Sequence, residues 1–251
     1  MKEWFIKKCP NWLFPSISNF YYALSSKEKA KIKKSENGWL IQKGGMELLS
    51  PTPKFIGFGL KDFENKCERF FKIEEGDTVL DVGACIGDTT VPMAIKTGST
   101  GKVIAVEAYP LNIPYLEHNL SGFNNVEIIR KALWDKKGTV TFHLHDTPTG
   151  HSIMEDVERK RQIEVPSDTL DNLFGDRKID FAKIDVQGAE AQVLEGGNRF
   201  LQTTRKLAVE THCRYDIEKR TYPRVLEILG KYDYEIHFAE DNGVVYAWRK
   251  D

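Results

Sequence analysis

The sequence predicts an α/β fold, a doubly wound sheet closed by a terminal antiparallel hairpin, and three observations predict it. Apolar, β-branched segments alternate with helical ones between residues 79 and 212. Residues 79–90 (VLDVGACIGDTT) pack an apolar strand, a glycine turn and a helix start into twelve residues, the form of a ligand cradle. Residues 234–239 and 244–248, joined by Glu240-Asp241-Asn242-Gly243, read as the closing hairpin.

A chain of 251 residues holds one large domain with a full core, and no spacer divides it. The expected division is a basic, aromatic extension with a hairpin over 1–50 and the α/β domain over 51–251. With 29% charged residues and a net charge of -1, non-specific nucleic-acid binding is excluded. Cys9, Cys67, Cys85 and Cys213 are too scattered for a zinc site or a disulfide framework, so a reducing cytosol is the simplest setting. No stretch has the length of a signal peptide or a membrane span, which makes a cytoplasmic protein the expectation. Residues 1–34 carry eight lysines against Glu3 and Glu28, interleaved with Trp4, Phe5, Trp12, Phe14, Phe20, Tyr21 and Tyr22. Two readings stand: an arm packed across the domain, or a weak peripheral contact with an anionic membrane. The oligomeric state is not set by the sequence.

In chain order, residues 39–49, with Gly44 and Gly45 at the centre, predict a β-hairpin ahead of the Pro51-Thr52-Pro53 break. Residues 62–72 predict a helix whose buried face is Phe63, Cys67, Phe70 and Phe71. After the cradle come a helix over 89–96, a strand over 102–107, a helix over 110–120 and a third strand over 126–133. Residues 139–144 alternate as a strand with His143 and His145 on one side. That pair lacks a third metal ligand, and a solvent-facing strand is the expectation. His151 and Ser152, in the turn-rich loop 147–152, are candidates for a pocket mouth. An edge strand over 163–165, a helical turn from Leu170, a strand over 179–186, a helix over 189–194, a strand over 206–210 and a helix over 222–231 complete the pattern.

Ligands of such sheets lie beyond the carboxyl ends of the strands, where Asp81 to Gly87, Glu107, Leu133, Asp185, Glu210 and His212 all fall. Glu107 follows Gly87 at about the separation of roughly 20 at which nucleotide-binding units place an acid on the ribose hydroxyls. Gly83 and Gly87 form G-x-x-x-G, with Cys85 where the dinucleotide fingerprint needs its second glycine. Asp81 and Asp88 add negative charge unsuited to a phosphate. A cationic, phosphate-free nucleoside suits the site, and S-adenosylmethionine, with a sulfonium, an ammonium and a ribose diol, meets that description. A nicotinamide dehydrogenase is disfavoured by the same glycine spacing.

These residues resemble the FkbM-like family of S-adenosylmethionine-dependent methyltransferases over about 79–212. The motifs run in order: Asp81, Gly83, Ala84, Gly87 and Asp88; Glu107 followed by Pro110; Ala132-Leu133; Leu170-Asp171; Lys183 to Glu190; and Val193 to Gly196. Gln187 stands where the family usually has Glu. The resemblance implies a class I, Rossmann-like methyltransferase fold of seven strands, and methylation of hydroxyls on sugars or natural products. Cofactor-binding candidates are Asp81, Gly83, Ala84, Cys85, Gly87, Asp88, Thr89, Glu107, Ala108, Ala132, Leu133 and Asp185.

Transfer to an alcohol needs alignment and a base, and the titratable groups on the acceptor side are Asp185, Glu210 and His212. The expected reaction is O-methylation of a small-molecule or glycan acceptor. N-methylation of an amine or amide, and a non-catalytic S-adenosylmethionine-binding partner protein, are the alternatives. A divalent metal bridging Asp185 with Glu210 is conceivable and is not predicted.

Overall fold

The computed structural model describes residues 10, 11, 13, 15, 30–55, 58–144, 152–154, 161–212 and 221–250. Its strands are β1 Lys31–Ser35, β2 Gly38–Lys43, β3 Met46–Ser50, β4 Thr78–Val82, β5 Lys102–Val106, β6 Val126–Ile129, β7 Ala132–Leu133, β8 Gly138–Leu144, β9 Arg161–Asp168, β10 Phe181–Ile184, β11 Lys206–Glu210, β12 Glu235–Ala239 and β13 Val244–Trp248. Its helices are α1 Leu60–Cys67, α2 Thr90–Thr97, α3 Ile113–Leu120, α4 Leu170–Phe174, α5 Glu190–Glu195, α6 Asn198–Thr203 and α7 Tyr222–Leu229.

Seven strands form the main sheet in the order β12-β13-β11-β10-β4-β5-β6. The four pairings from β11 through β6 are parallel, whereas β13 runs antiparallel to both β11 and β12. The antiparallel strand therefore lies one position in from the edge. Alternation along each strand sends side chains to two cores. Leu80, Val82, Ile104, Ala182, Ile184, Leu207 and Val209 pack under α4 to α7 on one face. Val79, Val103, Phe181 and Ala208 meet Phe63, Cys67 and Met93 of α1 and α2 on the other.

Three expected elements change. The third strand splits at Arg130 and Lys131: β6 edges the main sheet, while β7 leaves it to pair with β9. The two cations at the break are bound elsewhere, Arg130 to Glu117 and Lys131 to Asp168. The short edge strand expected over 163–165 is the eight-residue β9, the central strand of a second sheet, β7-β9-β8. The helix expected over 62–72 ends at Cys67, because the Glu68 carboxylate turns back to accept the amide of Ile73 at 3.0 Å. Phe70 instead stacks on Trp248 of β13 and meets Tyr246 edge-on, and Phe71 meets both rings edge-on.

The strand carrying His143 is not solvent-facing: His143 is buried, its backbone bridged to Ser152, which covers it. His145 and His151 lie outside the described residues, as does most of 1–34. Within that stretch Lys31, Lys33 and Lys34 are exposed on β1, a strand the sequence did not reveal. It joins the expected hairpin β2-β3 in a three-stranded antiparallel sheet. Asn119 of α3 ties that sheet to the cradle: it accepts from the amide of Leu49 and donates to the carbonyls of Leu49 and Ile86. Among the described residues no helix is long and apolar enough to cross a membrane.

Candidate active site

The site opens at the carboxyl ends of β4, β5 and β10 as a pocket partly open to solvent. Its apolar wall is Val82, Val106, Ala132, Leu133, Phe142, Ile153 and Val186, and its polar wall includes Cys85, Asp88, Glu107, Asn112, Lys131, Lys183, Asp185 and Gln187. Of the expected cofactor residues, Gly83, Cys85, Asp88, Glu107, Ala108, Ala132, Leu133 and Asp185 line it, and Asp81, Ala84, Gly87 and Thr89 do not.

The backbone of the cradle explains the glycines. The amides of Gly83 and Ala84 both donate to the Val106 carbonyl at 3.0 Å, and the amide of Asp185 donates to Val82. The ends of three neighbouring strands are thereby drawn together, and Gly83, at φ +82, passes close under the carbonyl of Asp185. Cys85 follows in the left-handed region at φ +50, which is uncommon for a residue with a side chain and turns its amide back toward Glu107.

Glu107 is 7% exposed. Its Oε2 accepts the Cys85 amide at 2.7 Å, and its Oε1 accepts the Tyr109 amide at 2.7 Å and the Asn112 side chain at 3.4 Å. Burial outweighs these donors and pushes its carboxyl up to about 7. Burial likewise lifts Asp88 to about 6, against the pull of Lys183, and drives the Cys85 thiol well above its ordinary value.

Asp81 stands behind the loop. It is wholly buried, its Oδ2 accepts from the hydroxyls of Thr89 and Thr90 at 2.8 and 2.7 Å, and its Oδ1 faces the Lys183 ammonium at 3.2 Å. In this position the acid holds the start of α2 and pairs across the sheet. Lys183 also lies 3.6 Å from Asp185, and with His212 and Lys66 it overcomes the burial of that carboxyl to hold it below the usual range.

Beyond the ends of β10 and β11, Asp185, Glu210 and His212 come together, each presenting a ligand-type atom within 4.8 Å of the others. Each also has a further partner within the chain. Lys66 lies 2.5 Å from Glu210, Gln187 donates to Asp185 at 2.9 Å, and His212 Nδ1 meets the buried Glu190 carboxylate at 2.8 Å. Burial and the neighbouring Asp185 push the Glu210 carboxyl upward, with Lys66 and His212 opposing. For His212, burial disfavours charge, but the Glu190 bond and the charges of Asp185 and Glu210 outweigh it and raise the imidazole to about 9. Gln187 Nε2, 2.9 Å from His212 Nε2, donates to the neutral ring, and protonation requires this amide to turn. The surrounding carboxylates make the imidazolium the dominant form at neutral pH.

Ser152, expected at a pocket mouth, is buried with its hydroxyl directed at the Val186 carbonyl, and the neighbouring Ile153 reaches the cavity instead. Asn112, Lys131, Phe142 and Ile153 had no sequence signal beyond their nearness to strand ends. Glu190 had one: it sits two residues after Gly188, whose amide it accepts at 2.9 Å, while its other oxygen accepts from Thr221.

The Glu190–His212 bond carries a pH dependence. An imidazole at about 9 in the fold and roughly 6.5 unfolded contributes stability that is full below about 6.5 and is lost as pH rises through 9. Glu190→Gln is therefore expected to cost about 2 kcal/mol near pH 6 and progressively less toward pH 9. Urea unfolding of both proteins across that range measures it, and a pH-independent difference would detach the bond from the imidazolium.

A cavity at the carboxyl edge of a seven-stranded sheet with its penultimate strand antiparallel defines a class I methyltransferase fold. Residues 81–236 match the methyltransferase FkbM domain, and the chain belongs to that family. Among solved structures, the chain is similar to methyltransferase FkbM from Methylobacillus flagellatus KT, at 17% identity and a TM-score of 0.51 over 75% of this chain and 50% of that one. The chain thus spans half the length of that relative. It is also similar to an S-adenosylmethionine-dependent methyltransferase from Aquifex aeolicus, at 19% identity and a TM-score of 0.44 over 75% and 86% of the two chains. A third is Aeropyrum pernix fibrillarin in complex with natively bound S-adenosylmethionine, at 16% identity and a TM-score of 0.44 over 70% and 67%. No curated protein matches the sequence.

Proposed function

We propose that the protein methylates a hydroxyl group of a sugar, glycan intermediate or secondary metabolite. The observation that carries this reading is the convergence of Glu210 and His212 on Asp185, the one of the three that lines the cavity. The donor set suits the cofactor. A carboxylate has about four lone-pair positions, so Glu107, after taking the Cys85 and Tyr109 amides, retains capacity for a ribose diol. The apolar wall around Ala132, Leu133 and Phe142 suits an adenine ring. When bound, S-adenosylmethionine supplies an electrophilic methyl group on a sulfonium.

The residues of this chain then align the acceptor and take its proton. Asp185, held ionised by Lys183, is a poor base and serves to orient the acceptor by accepting its hydrogen bonds. Glu210 has its affinity for protons raised by burial and by Asp185, and it takes the hydroxyl proton as the carbon–oxygen bond forms. His212, kept protonated by Glu190, offsets the negative charge of the two carboxylates.

The test is transfer of labelled methyl from S-adenosylmethionine into cell extracts fractionated as glycans, lipids and small molecules. Label is expected in an alkali-stable ether of a hydroxylated compound, and Glu210→Gln is expected to lower the rate about 10²- to 10⁴-fold. Label in an amine, insensitive to that substitution, would replace this reading with N-methylation. Binding of the cofactor without transfer in any fraction would favour a non-catalytic binding partner.

A further inference from the structure

We infer that Lys66 is a positioning residue of the acceptor side: its ammonium, delivered by a helix that precedes the family-matched residues, holds Glu210 as a carboxylate turned toward Asp185. The inference rests on the reading of Glu210 as base, and its test needs no turnover.

Lys66 lies in the last turn of α1, ahead of the matched region that begins at residue 81. The helix is seated by Phe63 and Cys67, both buried against the sheet, and the Tyr246 hydroxyl of β13 donates to the Lys66 carbonyl at 2.6 Å. From that fixed backbone the side chain reaches over the end of β11 and places Nζ 2.5 Å from Glu210 Oε2. This oxygen is shielded from solvent and makes no hydrogen bond among the described residues, so the ammonium is the group that compensates its burial.

The charged groups around Glu210 come from every neighbouring element. Asp185 and Lys183 stand at the end of β10, and His212 follows β11 with Glu190 of α5 behind it. Removing Lys66 leaves two facing carboxylates with only His212 beside Glu210, and a proton then settles between them. The Lys66 side chain is 41% exposed, but the Glu210 oxygen it meets is buried, and that burial separates the pair from a fully solvated one whose loss leaves titration unchanged.

The experiment is a carbon-13 titration of the full chain labelled at the glutamate carboxyl carbon, with the Glu210 signal assigned by its loss in Glu210→Gln. In Lys66→Met the apparent midpoint at Glu210 is expected to rise by about one pH unit or more, a roughly tenfold loss of carboxylate at a fixed pH below the midpoint. Lys66→Arg is expected to return it to within about half a unit of wild type. An unchanged midpoint in Lys66→Met overturns the inference, as does a Lys66→Arg protein displaced as far as Lys66→Met. Lys66→Gln, titrated alongside, gives the same two outcomes should the methionine variant fold poorly. Full methyl transfer by Glu210→Gln would defeat the base reading while leaving the titration result intact.

Discussion

Gly83→Ala is expected to cost about 3 kcal/mol or more of stability and to abolish measurable binding of S-adenosylmethionine. Gly83 sits at φ +82, a conformation that alanine adopts only with strain, and a Cβ there would lie 1.9 Å from the carbonyl oxygen of Asp185. The backbone cannot retreat, because the same loop is held by two amides on the Val106 carbonyl and by the Asp185 amide on Val82. Either the loop lifts away from β10 or the end of β10 moves, and both displacements distort the wall on which Cys85, Glu107 and Asp185 are arranged. Urea unfolding and calorimetric titration with the cofactor measure the two losses. Gly122→Ala is the control, since a Cβ there meets nothing within 4 Å. Wild-type affinity in Gly83→Ala would mean that the close approach does not shape the site.

The second large effect is expected at Lys183. Its ammonium is 3% exposed as a residue, lies 3.2 Å from the fully buried Asp81 and 3.6 Å from Asp185, and is held well above its ordinary pKa because the acids outweigh its burial. Lys183→Met leaves Asp81 with only the Thr89 and Thr90 hydroxyls and should destabilise the fold by about 3–5 kcal/mol. Adding Asp81→Asn removes the stranded charge, so the double variant should recover most of the loss. Asp185 supplies the pH signature. Its depressed carboxyl contributes stability above its unfolded pKa of roughly 3.9 that is lost as pH falls, and this acid-side loss should be smaller in Lys183→Met. Unfolding curves of the three proteins across pH decide the matter, and a double variant no more stable than the single one would refute the pairing.

The sequence was most informative where function depends on a short local segment. Gly83, Cys85 and Glu107 could be placed because a strand-turn-helix cradle and an acid at the next strand end are set by local conformation and one crossover. Asp81 shows where such reading stops. Its oddity, an acid in an apolar strand, was visible, but its partner was not. Asp81 and Lys183 are neighbours in register on parallel β4 and β10, strands separated by most of the domain, so only sheet pairing turns the acid inward. The break between β6 and β7 was hidden for a similar reason, since residues 126–133 are suitable for one strand and the pairing of β7 with β9 decides otherwise. His212 appeared suited to act as a base by its ordinary pKa, and the three carboxylates gathered around it reverse that expectation.

By itself the sequence determined the α/β class and the family, and it singled out Asp185, Glu210 and His212 as candidates, since each is written in motifs of a few residues whose spacing is local. The tertiary structure alone decided that Asp81 is paired with Lys183 inside the sheet and that Lys66 of α1 meets Glu210. The reason is electrostatic: protonation and pairing depend on burial and on charges a few ångströms away, and those neighbours are brought together by strand order and helix packing.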